Sequence, residues 1–378
     1  MTTATDGFKA GLEDVVANTS GICFVDGHEG RLVYRGYNIN DLVNGGAAFE
    51  EVVYLLWYGD LPTLAQLNTF KENLSKERSL HPEVLNFLRS APKNVDPMEI
   101  LRTAVSYAGL YDPDNGDESR EANFRKAVRL VAQIPTMAAT FERLSKGLEP
   151  VTPDTSLSMA ANFFYLLNGE KPSEFAERGF NTALILHADH ELNASTFSAR
   201  VTAGTLSDMY SAITSAVGTL RGPLHGGANE QVMKMLLEIG SMDHVESWIE
   251  NALVEKKKIM GFGHRVYKTE DPRATHLRKL SRQAGELAGT TQWYDMSEVV
   301  EKKILEKKGL HCNVDFYSGS FYYALGVPIH LYTPIFAVSR ISGWTAHVLE
   351  QYENNRLIRP RAEYTGPTHL EYKPLAIR

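Results

Sequence analysis

The stretch Arg221-Gly-Pro-Leu-His-Gly-Gly-Ala-Asn229 separates two helix-like segments and sets one histidine among three glycines, a proline and an asparagine. Gly226 and Gly227 remove side-chain bulk where a ligand or another backbone comes near, and Pro223 sets the chain direction just before His225. Taken alone, the loop fits a helix cap with a solvated histidine equally well. On its N-terminal side, residues 175–218 read as two long helices. The second, from Ser195, is crowded with Ala, Ser, Thr and Gly, which let helix axes approach closely. On its C-terminal side, residues 232–239, 245–257, 272–288 and 299–308 read as shorter, more charged helices, and 333–353 as a long apolar one. Helical period also runs through 49–58, 98–110, 121–146 and 157–167, with Pro and Gly breaks at 61–62, 92, 112–116 and 149–153. The clearest β signal is the pair 22–25 and 31–34 around Asp-Gly-His-Glu-Gly. An all-α fold with one short N-terminal β-hairpin is expected.

The totals exclude several classes. With 378 residues, 43% hydrophobic and 22% charged, the chain has the composition of an ordinary soluble globule large enough for two domains. Residues 1–20 carry acids and no apolar run, so neither a signal nor a transit peptide is expected, and nothing reaches membrane-spanning length. Two cysteines, Cys23 and Cys312, suit free thiols in a reducing cytoplasm. A net charge of −7 argues against a general nucleic-acid binder. The basic residues are nevertheless clustered. Residues 256–273 hold six Lys and Arg against two acids, and Arg356, Arg359 and Arg361 form a second group. Such local reversals suit small anionic ligands or, equally, solvated helix ends.

Two further stretches place single ionisable residues in glycine-flanked or turn-like settings: Gly261-Phe-Gly-His264 continuing to Asp271-Pro-Arg273, and Asn313-Val-Asp315-Phe-Tyr-Ser-Gly319. Two histidines and a carboxylate supply a general acid, an electrophilic hydrogen-bond donor and a general base. That is the minimum for removing a proton beside a carbonyl and forming a carbon–carbon bond. Other readings compete. His187 and His190 at i, i+3 on one helical face resemble half a metal site, yet Ala194 stands where the second histidine of H-E-x-x-H belongs. Gly261-Phe-Gly263 lacks the third glycine of a dinucleotide fingerprint and a βαβ context. Cys312 offers a nucleophile without a G-x-S-x-G elbow nearby. Arg340 interrupts an apolar helix; a buried arginine must be paired, so it is either in an ion pair or a carboxylate receptor.

Taken together, Asp189-His190-Glu191 with Asn193 and Ser195, Gly222–Asn229, Gly261–His264 through Arg273, Asn313-Val-Asp315, Ser339-Arg340 and Arg359-Pro-Arg361 resemble citrate synthase motifs in that family's order. The hairpin and Tyr34-Arg-Gly-Tyr37 are similar to its start, so the likeness covers nearly the whole chain. The resemblance implies a large helical domain (1–225 and 322–378) with an inserted small, mobile helical domain (226–321), in a cytoplasmic homodimer. It implies His225, His264 and Asp315 as catalytic, and His190, Arg273, Arg340 and Arg359 as oxaloacetate ligands, with Arg359 supplied by the other subunit. Lys258, Ile259, Met260, Gly261 and Phe262 would lie along coenzyme A, with Lys268 near its phosphates. Acetyl-CoA would be a co-substrate, with no permanent cofactor and no metal. About twenty residues precede the hairpin, so the N-terminal domain of the NADH-regulated hexamers is not expected and an unregulated dimer is. Paralogues that make 2-methylcitrate from propionyl-CoA share these motifs. A metal-dependent lyase using His187 and His190 and a non-catalytic helical interaction protein are the readings from other classes.

Overall fold

A computed structural model describes residues 9–378; the part of the N-terminal reading that rests on residues 1–8 lies outside them. The expected hairpin forms. Strand β1 (Cys23–Asp26) pairs antiparallel with β2 (Arg31–Tyr34), Cys23 opposite Tyr34 and Asp26 opposite Arg31. Its turn is held by Asp26 Oδ1, which accepts the backbone N–H groups of His28 at 3.0 Å and Glu29 at 2.9 Å. A third strand, β3 (Tyr37–Asn38), folds back onto β2. Arg35 (φ +48°) and Gly36 (φ +94°) take the left-handed backbone that this tight return needs. The rest is helical, as expected.

Helix Phe49–Tyr58 falls on its predicted span, and Arg120–Ser145 and Tyr332–Glu353 within one residue of theirs at each end. Helix Tyr332–Glu353 is buried along nearly all its length and carries the fully buried Trp344 and Arg340. It packs against Phe49–Tyr58, Arg120–Ser145, Glu174–His187, Ala194–Ala203 and Met209–Leu220, so the core is built around it. Gly343 is required by a close crossing, since a Cβ there would lie 2.3 Å from Asp189 Oδ1 and 2.5 Å from the Ala188 carbonyl. The helices from Ala228–Ile239 to Val314–Ala324 pack mainly on one another. They meet the rest where Ala228–Ile239 touches Tyr332–Glu353 and where Pro272–Leu287 touches Glu174–His187.

Three expectations are corrected. The region 175–218 holds three helices, because the second predicted one is cut into Ala194–Ala203 and Met209–Leu220. Between them Leu206 is left-handed (φ +63°), and Asp208 accepts the Ser211 N–H at 3.0 Å to cap the next helix. His187 and His190 do not share a helical face: the helix ends at His187, and His190 lies in the turn before the Asn193 cap. Asp315, expected in a glycine-flanked or turn-like setting, is in the first turn of helix Val314–Ala324. After Glu353 the chain runs without further α-helix to Arg378, exposing Leu357, Tyr364, Leu370, Tyr372, Leu375 and Ile377.

Candidate active site

The Arg221–Asn229 loop folds back on the helix before it. The Gly226 N–H donates to the Leu220 carbonyl at 2.9 Å, and a Cβ on Gly226 would lie 2.5 Å from that same oxygen. Gly227 meets nothing within 4 Å of its Cβ position, so packing requires only the first of the two glycines. His225, thus placed, points Nε2 at Ser195, 2.8 Å from Oγ and 3.3 Å from the backbone N. A backbone N–H can only donate, so Nε2 accepts and the ring proton is on Nδ1. Trp344 Nε1–H donates to Ser195 Oγ at 3.1 Å and holds it in place. Burial first, then the Arg340 charge, pushes His225 down to about 4, so its imidazole is neutral near pH 7.

His264 is fixed by its own loop. Its Nδ1 accepts the N–H groups of Val266 at 3.0 Å and Tyr267 at 3.1 Å, which leaves the proton on Nε2. Burial, followed by Arg273, lowers it to about 4 as well. The ring lies 5.2 Å from that of His190 and 4.6 Å from that of Tyr267, centroid to centroid. His190 Nε2 is 3.3 Å from the Tyr267 hydroxyl, and burial, with Arg273 next, holds His190 well below its ordinary value. Two neutral imidazoles thus present N–H donors, and a third lines the same space.

The charges around them are unevenly matched. Asp271 caps helix Pro272–Leu287 and binds Arg273 bidentately, Nε to Oδ1 at 2.9 Å and Nη2 to Oδ2 at 2.7 Å. Burial opposes the Arg273 charge, but Asp271 outweighs it and the guanidinium stays protonated, with Nη1 outside the pair. Asp271 Oδ2 also accepts the Val314 N–H at 3.1 Å, joining the arginine to the start of the Asp315 helix. Arg340 lies over the Phe336 ring at 4.7 Å and donates Nε–H to the His187 carbonyl at 2.7 Å. No carboxylate pairs with it among the described residues, and burial lowers it to about 10. A core guanidinium with two unmatched nitrogens and no ion-pair partner among the described residues has the character of an anion receptor. Asp315 is 9% exposed with Oδ1 unbonded; burial raises it to about 7, partly offset by Arg273 and Arg340.

The other predicted residues divide into two groups. Lys258, Ile259, Met260, Gly261 and Phe262 run into the Asp315 helix start: Phe262 bridges to Cys312, and Gly261 accepts the Asn313 N–H at 2.9 Å. Lys258 and Lys268 are exposed beside this segment. Arg359 is not brought to the site. It lies exposed on the C-terminal segment with no ion-pair partner among the described residues. Ser195, Trp344, Tyr267 and Asp271 were not assigned roles from sequence. Asp271 was legible as a helix cap before proline, whereas nothing in the sequence placed Trp344 beside Ser195.

The competing chemistries lose their footing here. His187 Nδ1 is bonded to the Ala183 carbonyl at 2.8 Å and His190 Nε2 faces Tyr267, and the two histidines belong to no cluster of metal-ligand atoms among the described residues. Glu270, Glu301 and Cys312 bring ligand-type atoms within 4.8 Å, but Arg278 spans both carboxylates, at 2.6 and 2.5 Å. Burial and Glu301 push the Cys312 thiol far up, which denies it a thiolate. Both cysteines are free and buried.

A largely helical scaffold that holds neutral imidazole donors, one unmatched guanidinium and a buried carboxyl raised to about 7 fits an enzyme for proton transfer beside a carbonyl. The family model described as "Citrate synthase, C-terminal domain" matches residues 11–361. The chain is 53% identical to citrate synthase 2 of Bacillus subtilis, over 97% of this chain and 98% of that one. It is 42% identical to 2-methylcitrate synthase 1 of Corynebacterium glutamicum, over 98% of each. It superposes with TM-score 0.93 and 35% identity on a citrate synthase from Thermoplasma acidophilum, solved with carboxymethyl coenzyme A and oxaloacetate, covering 99% of this chain and 100% of that one. The chain belongs to the citrate synthase family. Its reaction is that of a transferase that condenses acetyl-CoA with oxaloacetate.

Proposed function

We propose that Asp315 takes a methyl proton from acetyl-CoA while His225 donates its Nδ1–H to the thioester oxygen, so charge developing on the enol meets a fixed donor. The observation that carries this reading is the buried Asp315 carboxyl raised to about 7, within the field of Arg273 and Arg340, the same two guanidiniums that, after burial, lower His264 and His225 respectively. The enol carbon attacks the oxaloacetate ketone, His264 polarises that ketone through Nε2–H, and the same proton passes to the new alkoxide. Arg273, Arg340 and His190, with Arg359 from a second subunit, hold the two carboxylates; planar guanidinium forks suit that task. Residues 258–262 line coenzyme A, with Lys268 near its phosphates. Water then hydrolyses the citryl thioester to release citrate and CoA. Residues 226–321 form the unit that closes over the substrates, and 1–225 with 322–378 the unit that stays. The working form is a cytoplasmic homodimer in the tricarboxylic acid cycle, with no permanently bound cofactor.

Acetyl-CoA is the preferred donor. The test is release of free CoA from oxaloacetate with acetyl-CoA or propionyl-CoA, with chelator present throughout. A higher kcat/KM for acetyl-CoA is expected, although one methylene is worth only about 1–3 kcal/mol of discrimination. A higher value for propionyl-CoA makes the chain a 2-methylcitrate synthase. Activity abolished by chelator returns the reaction to a metal-dependent lyase, and no release with either thioester overturns the catalytic reading.

A further inference from the structure

The β1–β2 turn, more than two hundred residues from His264 in sequence, rests directly on the loop that holds this histidine. The Gly27 carbonyl accepts the Lys268 N–H at 2.8 Å. A Cβ on Gly27 would lie 2.2 Å from the Val266 carbonyl oxygen, so the two backbones are in contact through the missing side chain. Gly30, three residues on, makes a second close approach, its Cβ position 2.8 Å from Thr269 Oγ1 and 3.0 Å from the Glu270 carbonyl. A third tie lies beside these, where His276 Nε2 is 2.7 Å from Asn40 Oδ1. The turn therefore grips 266–270 on its outer side. On its inner side the same loop offers the N–H groups of Val266 and Tyr267 to His264 Nδ1.

Three successive amides are thus committed: those of Val266 and Tyr267 to the imidazole, that of Lys268 to the hairpin. Without the outer support, 266–268 has no other backbone bond among the described residues to keep its N–H groups aimed at Nδ1. The tautomer of His264 depends on that aim. If Nδ1 loses its two donors it can carry the proton itself, and Nε2 then faces the substrate as an acceptor.

We propose that the hairpin turn Asp26-Gly-His-Glu-Gly30 positions His264. The Gly27 carbonyl anchors Lys268, and the absent Gly27 side chain admits Val266, so the loop keeps the His264 proton on Nε2. This rests on the assignment of His264 as donor to the ketone.

Gly27→Ala is a clean probe. Gly27 has no positive φ, so alanine adopts its backbone conformation, and the Asp26 bonds together with the Asp26–Arg31 pairing keep the turn formed. The three atoms nearest to the added carbon all belong to Val266, in the His264 loop. A displacement approaching 1 Å at a reacting group costs as much as about 10²-fold, so kcat of Gly27→Ala should fall by ~10–100-fold with oxaloacetate KM changed far less. The Lys268 amide should exchange hydrogen faster while core amides keep wild-type rates, and the nitrogen chemical shifts of His264 should move toward the Nδ1–H tautomer. Phe24→Ala, on the same hairpin at a side chain 52% exposed, should match wild type in all three. Wild-type kcat in Gly27→Ala overturns the inference, as does a lowered kcat with unchanged Lys268 exchange and an unchanged His264 tautomer. If the variant is thermally weakened, the exchange and tautomer readings below its melting temperature still decide. A wild-type protein that releases no CoA would instead sink the reading of the site itself, so the two failures are distinct.

Discussion

In the proposed mechanism, pH acts on this protein through Asp315. Its carboxyl is raised to about 7 by burial, with Arg273 and Arg340 pulling the other way. A base must be ionised, so the fraction of competent enzyme grows as pH rises through that value and levels off above it. His225 and His264, both lowered to about 4, are already neutral across this range and add no second limb there. The logarithm of kcat/KM for acetyl-CoA should therefore climb with a slope of about one and flatten near pH 7. A profile flat from pH 5 to 8 would mean that another group takes the proton. Arg340 shows what sequence withholds at this scale. Its place in an apolar helix was visible; that no carboxylate forms an ion pair with it among the described residues appears only when five helices have packed around Tyr332–Glu353.

At the scale of elements, the segment proposed to line coenzyme A and the helix that carries Asp315 form one unit. Gly263 N–H donates to the His311 carbonyl, Asn313 N–H to that of Gly261, and Asn313 Nδ2 to that of Gly263, at 2.9, 2.9 and 3.0 Å. Gly261 is left-handed (φ +82°), and a Cβ there would lie 2.8 Å from both Phe316 and Val232. Gly261→Ala combines strain with overpacking and should cost about 2–4 kcal/mol, raising KM for acetyl-CoA as the segment shifts. Gly289→Ala, at φ +83° with open space around it, should cost only about 1 kcal/mol in a denaturant titration. Equal losses would show that backbone strain alone matters at Gly261. Most helices were legible because apolar period and caps agree, as at Phe49–Tyr58. Leu64–Lys76 and Pro82–Ser90 were not read as helices; each buries only two or three side chains. The break at 204–208 was hidden because Leu206, not a glycine, takes the left-handed turn.

For the whole molecule, the C-terminal segment is the part that the single chain leaves unexplained. It exposes Tyr364, Leu370, Tyr372 and Leu375 and holds Arg359 away from the other site residues. The proposed homodimer would account for both, with the segment crossing a two-fold interface so that Arg359 reaches the neighbouring site. Arg359→Leu should then cost about 2–5 kcal/mol in kcat/KM. Mixing it with Asp315→Asn and allowing subunits to exchange should restore activity, because one site of each heterodimer then holds both intact residues. Full exchange, verified by mass spectrometry, without recovery would place Arg359 in its own subunit's site. The proposed mechanism turns on one carboxylate, that of Asp315. The most direct measurement is therefore kcat for CoA release by Asp315→Asn, with oxaloacetate binding measured by calorimetry on the same protein. The account predicts that kcat falls by roughly 10²–10⁴ while oxaloacetate binds nearly as tightly as in wild type. A kcat within a few-fold of wild type would contradict it.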